Sequence, residues 1–517
     1  MRINLEQGIN AYQLVYDTGG NSIAALRHLL TFTNWNTFTN PKTLILTDLD
    51  TSCTAEGKSE AALYAQVTDL IHAYPIDNLI GIGPRMTHYA HAFHLREKRF
   101  YPDISALVAS SAFAQCHQHI LIIKHHAAFG VHTLIPLLQH QCHETILEID
   151  LNAIHHNLHY LRSHLPQKTG IIAMIKASAY GSSHFEIAHF LQQWQVDYLG
   201  VAYVDEGVAL RNNGITLPIM VMNPSPRCFE RLLAHQLEPV IYSLHTLKAW
   251  QQLLATQPKT IHVHIKLDTG MYRLGFLADE VEAMIAILQA TPQLQVKTVL
   301  SHLAAQGNPK QDAYTHAQAT SFKQLTAYIE KALQIKVGKH LLSTAGATNH
   351  PTYAFDFVRL GIGLYGFSKK IQPHLQIAST LKTTISQIKD VPAGATIGYE
   401  RQGITQRNTK IAILPIGYAD GFRHSLGNGL GHVCVNGHLA PVIGNVCMDM
   451  VMIDITDIPA QEGDEVIIFG KEHPATDMAA KAGTIVYEVL TDIGQRIKRV
   501  YYKEVDLTLC MHDPSHA

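Results

Sequence analysis

Eight short apolar segments recur between residues 171 and 365, with helix-like stretches between them. They constrain the fold of this chain more than any other feature. They lie at 171–176, 198–202, 218–222, 239–243, 261–267, 296–302, 341–345 and 357–365. The first is too short for an amphipathic helix and reads as a buried strand. Eight such strands joined by helices predict an α/β chain with a (β/α)8 TIM barrel, whose chemistry sits at the C-terminal strand ends. The first strand closes on Lys176, and the fifth runs into Lys266-Leu267-Asp268-Thr269-Gly270-Met271-Tyr272-Arg273. The sixth ends at Ser301-His302, the seventh at Ser343-Thr344, and the eighth carries Arg359 ahead of Gly361-Ile362-Gly363.

A lysine at the end of a strand that is apolar on both faces is costly without a role or a partner there. Two readings stay open. The ammonium snorkels to water, or the amine is bonded to a cofactor aldehyde and has no charge to solvate. Gly361, Gly363 and Gly366 spell GxGxxG, but no Asp or Glu occurs from 367 to 389. A dinucleotide unit needs an acid about 20 residues on. A single phosphate held by backbone N–H groups is the better reading.

After Ser379 short β segments punctuated by Gly and Pro predict a C-terminal β domain, giving domains at 1–140, 141–378 and 379–517. Residues 1–140 alternate strands (44–48, 78–83, 119–124) with a helix (61–72), the pattern of a Rossmann-like parallel sheet. Two nucleotide motifs fail there. Gly57-Lys58-Ser59 has Ser52 where a P-loop needs its first glycine, and Gly81-Ile82-Gly83 has Met86 in place of the third. A net charge of -2 gives no electrostatic reason to expect nucleic acid or a membrane surface as partner. Seven unpaired-looking cysteines suit a reducing cytoplasm, and the adjacent pairs His125-His126 and His155-His156 lack the spacing of a helical metal site. No metal is expected.

Ordered motifs tie the segments together: AxAYG at 177–181, KxDTGMxRLG at 266–275, Ser301-His302, VRLGI at 358–362, GYADG at 417–421 and VCMD at 446–449. From about residue 143 to 501 the chain resembles alanine racemase, a pyridoxal 5'-phosphate enzyme with a barrel and a β domain. The resemblance implies a cytoplasmic isomerase that interconverts L- and D-alanine for peptidoglycan. Lys176 would anchor the cofactor and act as base on one face, with Tyr399 as acid/base on the other. Tyr180, Thr344, Gly361, Ile362 and Tyr487 would hold the phosphate, and Arg359 would face the pyridine nitrogen as a pure donor. His302 and Arg273 are the groups available to tune Tyr399. Arg273 and the Met448 backbone would bind the substrate carboxylate, and Tyr418 would narrow the entrance. Lys266 matches a lysine that some members carry as a carbamate; the plainer reading is a salt bridge with Asp268. In the family Tyr399 and Met448 serve the active site of the other subunit, which implies a homodimer. Rival readings are a racemase of serine or another small amino acid, and an idle cofactor-binding scaffold. Residues 1–140 are similar in layout to the C-terminal domain of the Mur ligase that adds D-alanyl-D-alanine. Tyr16-Asp17-Thr18-Gly19-Gly20-Asn21 stands where that family has its Asp-Ser-Tyr-Asn signature, and the ligase's nucleotide domains are absent. The similarity implies a retained fusion partner or docking domain.

Overall fold

The computed structural model describes residues 2–8, 12–17, 22–33, 40–49, 59–110, 112, 118–124, 134–139, 143–256 and 259–504. Residues 18–21, Ser52, Gly57-Lys58 and His125-His126, all considered above, lie outside these. The chain divides into two compact units: 153–378 with 485–492, and 1–152 with 379–484 and 493–517.

The first-named unit is a closed barrel of eight parallel strands. In chain order they are Gly170–Met174, Tyr198–Val201, Ile219–Val221, Glu238–Ile241, Ile261–Lys266, Leu294–Leu300, Gly338–Ser343 and Phe357–Leu360. Each pairs with the next, and the eighth closes on the first with Phe357 opposite Gly170 and Leu360 opposite Ala173. The apolar runs are short because every strand is covered on both faces. Ile171, Ile172, Leu199, Ile219, Val240, Ile265, Val299, Leu341 and Val358 are completely buried. Fully burying such a side chain stabilises a fold by about 1.5–3 kcal/mol. The eighth strand stops earlier than the apolar run suggested, because Gly361 breaks it and a 3-10 turn, Ile362–Tyr365, follows.

The other unit holds one sheet of twelve strands. The strand Ile146–Asp150 precedes the barrel in sequence but belongs here, pairing with Ser379–Thr384 and Lys498–Glu504. The N-terminal half of the sheet is parallel, in the order Gln13–Asp17, Ile120–Lys124, Lys42–Thr47, Asn78–Ile82, Glu97–Tyr101. Sequence reasoning found three of these strands. Glu97–Tyr101 escaped because its residues are charged and aromatic and only half buried. The strand Arg2–Gln7 pairs antiparallel with both Gln13–Asp17 and Lys498–Glu504, and so joins the N-terminal and C-terminal strands into one ladder. The Arg2 guanidinium, stacked 3.9 Å over the Tyr502 ring, crosses this junction, while a fully buried Lys124–Asp17 ion pair joins two of the N-terminal strands. No helix among the described residues is long and apolar enough to cross a membrane.

Candidate active site

A cavity of about 470 Å³ is lined entirely by residues of the barrel unit. Lys176 enters it from an unusual piece of backbone. Two residues beyond the first strand the chain makes a left-handed turn, with φ of 52°, 53°, 51° and 56° at Ala177, Ser178, Ala179 and Tyr180. An L-residue pays about 1–2 kcal/mol for this region, so a run of four is kept only where surrounding contacts impose it. The small side chains of Ala177, Ser178 and Ala179 limit the steric cost. Glu206 supplies a brace: its carboxylate accepts the N–H of Ala177 (2.7 Å), Ala202 (2.7 Å) and Tyr203 (3.1 Å). Gly181 ends the turn at φ 83°, where a Cβ would sit 2.0 Å from the Leu490 carbonyl oxygen.

The electrostatics of the cavity are dominated by cations. The Lys176 ammonium is disfavoured by burial and then by Arg273, partly offset by Glu206, so its pKa falls below the usual lysine value. Lys266, 6% exposed, is lowered further, to about 8, by burial, Arg273, Arg359 and Lys176 against a weaker pull from Asp268. No ion pair joins Lys266 to Asp268. That carboxylate instead accepts the N–H groups of Gly270, Met271, Tyr272 and Arg273 and so shapes the loop that presents Arg273.

Arg359 is 4% exposed and its terminal nitrogens are fully committed. Nη1 donates to His340 Nδ1 (2.6 Å) and the His340 carbonyl (3.1 Å), while Nη2 donates to the Ser301 and Leu341 carbonyls (2.7 and 2.9 Å) and to His302 Nδ1 (3.2 Å). Burial and Arg273 lower its pKa to about 10, so it stays charged near neutrality. Because Arg359 has only donors, His302 must accept at Nδ1 and carry its proton on Nε2. Burial, then Arg359, Arg273 and the two lysines push the His302 pKa down to about 3, so this ring is neutral.

In the same lining, Thr344 Oγ1 accepts the N–H of Gly361 (3.3 Å) and Gly363 (3.4 Å). The Tyr180 ring, 7% exposed, packs at 5.0 Å from Tyr365 and 6.1 Å from Tyr487. A Cβ on residue 361 would fall 2.3 Å from the Tyr180 hydroxyl, so this corner keeps its space only with glycine. Hydroxyls, backbone N–H groups and a glycine cradle match the needs of a phosphate dianion. Lys176 supplies an amine for an aldehyde, and Arg359 a donor that cannot accept. The residues present fit pyridoxal phosphate.

Two family models match the chain: alanine racemase, N-terminal domain, over residues 149–369, and alanine racemase, C-terminal domain, over 378–501. The chain belongs to the alanine racemase family. Alanine racemase 1 of Oceanobacillus iheyensis is 35% identical over 368 residues, covering 69% of this chain and 97% of the relative. The alanine racemase of Helicobacter pylori strain G27 is 33% identical over 379 residues, 69% of this chain and 98% of the relative. Among solved structures, alanine racemase of Clostridium difficile 630 covers 70% of this chain and 96% of its own, at 34% identity and a TM-score of 0.66. The Bartonella henselae enzyme, solved with covalently bound pyridoxal phosphate, gives 30% identity and a TM-score of 0.64 over 69% and 99%. Like the rest of the family this racemase is a pyridoxal-phosphate-dependent isomerase.

Of the site residues expected from the sequence, the structure of this racemase gathers Lys176, Tyr180, Lys266, Arg273, His302, Thr344, Arg359, Gly361, Ile362 and Tyr487 around one cavity. Tyr487 reaches it from the short helix Val486–Thr491, which lies among the β segments in sequence but belongs to the barrel unit. Tyr399, Tyr418 and Met448 belong to the other unit, where they are 70%, 46% and 53% exposed. Their loops are tied together there: Tyr418 N–H donates to the Cys447 carbonyl (3.0 Å), Ala419 N–H to the Met448 carbonyl (3.1 Å), and Asn445 Nδ2 to the Tyr399 carbonyl (3.2 Å). Sequence reasoning missed Glu206, the brace of the Lys176 turn, and Gln306, which donates to Ser343 Oγ at 2.7 Å. A lone acid inside a helix pattern or a glutamine after Ser301-His302 carries no signal of its own.

Proposed function

We propose that the cytoplasmic chain supplies D-alanine for peptidoglycan through two opposed groups, Lys176 and Tyr399, one removing the α-proton and the other returning a proton on the opposite face. Alanine racemisation itself follows from the family. When bound, pyridoxal phosphate lends the α-carbon an electron sink, without which its proton is far too weakly acidic to remove.

The chain's own residues do the rest. Lys176 would hold the cofactor aldehyde and, as a free amine, take or return a proton at Nζ; its lowered pKa keeps more of it in the basic form near neutrality. Tyr399 Oη carries the proton on the opposite face. His302 is neutral, so it tunes Tyr399 as an Nε2–H donor and leaves Arg273 as the nearby charge. Tyr180, Thr344, Tyr487 and the backbone at Gly361 and Ile362 hold the phosphate. Arg359, with both Nη groups engaged, has its Nε–H left to offer to a pyridine nitrogen, and as a pure donor it would keep that nitrogen unprotonated and so restrain transamination. Arg273 and the Met448 backbone bind the substrate carboxylate, and Tyr418 limits side-chain size. Carbamylation of Lys266 would replace one of four clustered cations with an anion, which relieves the repulsion that lowers its pKa.

The exposure of Tyr399, Tyr418 and Met448 supports a homodimer in which Tyr399 of the partner subunit completes each site. The N-terminal segment is a retained Mur-ligase-like domain with a docking role; its parallel sheet supports this reading.

The observation that carries the mechanism is the depressed Lys176 amine in a cavity that also holds Arg359 and the Gly361 cradle. Polarimetry on L-alanine, with the visible absorbance of the protein, tests it. Lys176→Ala should lose both the cofactor band and turnover, and Tyr399→Phe should keep the band and lose turnover. Racemisation by Lys176→Ala, or no band in wild type after pyridoxal phosphate is added, would sink it. Activity should fall on dilution; full activity in a monomeric sample rules out the shared site.

A further inference from the structure

Behind Arg359 the barrel interior is crossed by a line of polar groups that no step above uses. From Arg359 Nη1 the line passes to His340 Nδ1 (2.6 Å) and from His340 Nε2 to Thr298 Oγ1 (2.8 Å). Thr298 Oγ1 meets His264 Nδ1 (2.8 Å), and His264 Nε2 meets Glu238 Oε2 (3.0 Å). His264 and His340 are completely buried and Thr298 is 2% exposed. The members come one each from the fourth to the eighth strand. Glu238 opens the fourth strand, while Arg359 stands next to the end of the eighth. The line therefore climbs from the N-terminal mouth of the barrel, which does no chemistry in this fold, to the C-terminal mouth, which does.

Its proton order is forced. Arg359 can only donate, so His340 Nδ1 is an acceptor and its proton sits on Nε2. Nε2–H then donates to Thr298 Oγ1. The threonine hydroxyl hydrogen has His264 Nδ1 as its acceptor, so His264 also carries its proton on Nε2 and gives it to the Glu238 carboxylate. An imidazolium at His264 would donate from Nδ1 as well and leave the buried Thr298 hydroxyl hydrogen unpaired, a costly arrangement. His340 is held neutral by burial and by the Arg359 charge. At the far end the Glu238 carboxylate also receives the Tyr198 hydroxyl and faces His262 at 3.5 Å. Burial opposes its charge, but His264, His262 and Tyr198 outweigh that and keep it ionised. A fixed cation and a fixed anion thus bracket three neutral groups whose hydrogen bonds all point the same way, an arrangement in which each bond strengthens the next.

The geometry points to Glu238, His264 and Thr298, acting through His340, as positioning residues that set the orientation and donor state of Arg359 in the cofactor cavity. This rests on the reading of Arg359 as a cofactor-facing donor, and it extends the machinery of the reaction to the opposite end of the barrel. Thr298 is the critical joint, because it alone both accepts and donates through one atom.

The test is nitrogen NMR of the full-length protein labelled with 15N-histidine, without and with pyridoxal phosphate, beside the absorbance and affinity of the bound cofactor. In wild type His264 and His340 should both be neutral Nε2–H tautomers. Thr298→Val, nearly isosteric, should leave the His340 tautomer that Arg359 fixes but strip its Nε2–H of an acceptor and His264 Nδ1 of a donor, moving the 15N shifts of both rings. It should also weaken pyridoxal phosphate binding about tenfold, the worth of one well-placed hydrogen bond, and shift the cofactor band. Thr298→Ser should restore all three. A cationic His264 or an Nδ1–H His340 in wild type overturns the relay without any variant, so a Thr298→Val protein that fails to fold leaves the proposal decidable. Moved 15N shifts in Thr298→Val with unchanged cofactor band and affinity would overturn the coupling. Arg359→Gln separates the two layers: an unchanged cofactor band and affinity in that variant would refute the cofactor-facing role of Arg359 and leave the wild-type tautomers standing.

Discussion

Gly361→Ala offers a quantitative check on the phosphate corner. The φ of Gly361 is −129°, outside the left-handed region that favours glycine, so what alanine meets there is set chiefly by its neighbours. The new Cβ would lie 2.3 Å from the Tyr180 hydroxyl oxygen, 3.1 Å from its Cζ and 3.6 Å from Met174 Cβ. An unstrained carbon–oxygen contact is about 3.3 Å, so the hydroxyl must retreat by about 1 Å. It cannot do so freely, since Tyr180 is 7% exposed, packed on Tyr365 and fixed in a left-handed backbone. Overpacking of this kind costs about 1–3 kcal/mol. Taking about 2 kcal/mol and about 2–4 °C per kcal/mol for a unit of this size, thermal unfolding of the cofactor-free barrel should fall by about 4–8 °C. Tyr180→Phe alone removes one hydroxyl and should cost under about 1 kcal/mol. The double variant loses the 2.3 Å contact but keeps the 3.1 Å one, so it should recover about half the loss of Gly361→Ala. Circular dichroism melts of the four proteins give the cycle. Simple additivity, with the double variant losing the sum of the two, would refute the steric account.

Lys266→Met should be more stable than wild type prepared without bicarbonate, and the gap should be largest below pH 8. The folded pKa is about 8 against 10.5 unfolded, so the unfolded chain binds more protons between those values and wild type regains stability as pH rises through them. A gap independent of pH in urea unfolding would contradict this. Arg496→Met strips the completely buried Asp420 of its two-point partner at 2.6 and 2.9 Å and leaves it the Gly417 N–H. Arg496 is half exposed, so the expected loss is about 2 kcal/mol rather than the larger cost of a fully buried pair; an unchanged melting temperature would show that water already serves that carboxylate. Glu206→Gln keeps an acceptor for only part of the Ala177, Ala202 and Tyr203 N–H set, so pyridoxal phosphate attachment, followed by its absorbance, should slow; attachment at the wild-type rate would mean the left-handed turn holds without its brace.

Much of the barrel was legible because burial on both faces leaves each strand as a continuous apolar run, and because Lys176, His302 and Arg359 interrupt those runs where apolar residues would cost nothing. The strand ends were less so. The seventh strand starts at Gly338, ahead of the apolar run, because its early residues pair with Thr298 and Val299 by backbone alone. The left-handed turn after Lys176 leaves no trace but three small residues, since strain is imposed by Glu206 from 29 positions away. The Glu238–Arg359 line was invisible for a related reason. Its histidines are two of 33 spread along the chain, and only barrel closure brings residues 26 to 42 positions apart into single hydrogen bonds. The membership of Ile146–Asp150 and Val486–Thr491 was hidden as well, because it depends on partners hundreds of residues distant.

The relatives that match this chain are almost fully covered by 69% of it, so the N-terminal strands are an addition to a complete enzyme. The addition is joined by the ladder between Arg2–Gln7 and Lys498–Glu504, in which Arg2 faces Glu504 and Leu5 faces Tyr501. Main-chain hydrogen bonds read strand geometry and take little notice of which side chains carry it. A graft spliced in this way can change its composition extensively and stay in place, provided its first strand remains extended. It also occupies an edge that would otherwise offer unpaired N–H and C=O groups to any passing strand. The segment whose sequence says least about its purpose is thus attached largely by main-chain bonds, with Arg2 stacked on Tyr502 beside them, and it carries the sheet edge outward to Glu97–Tyr101.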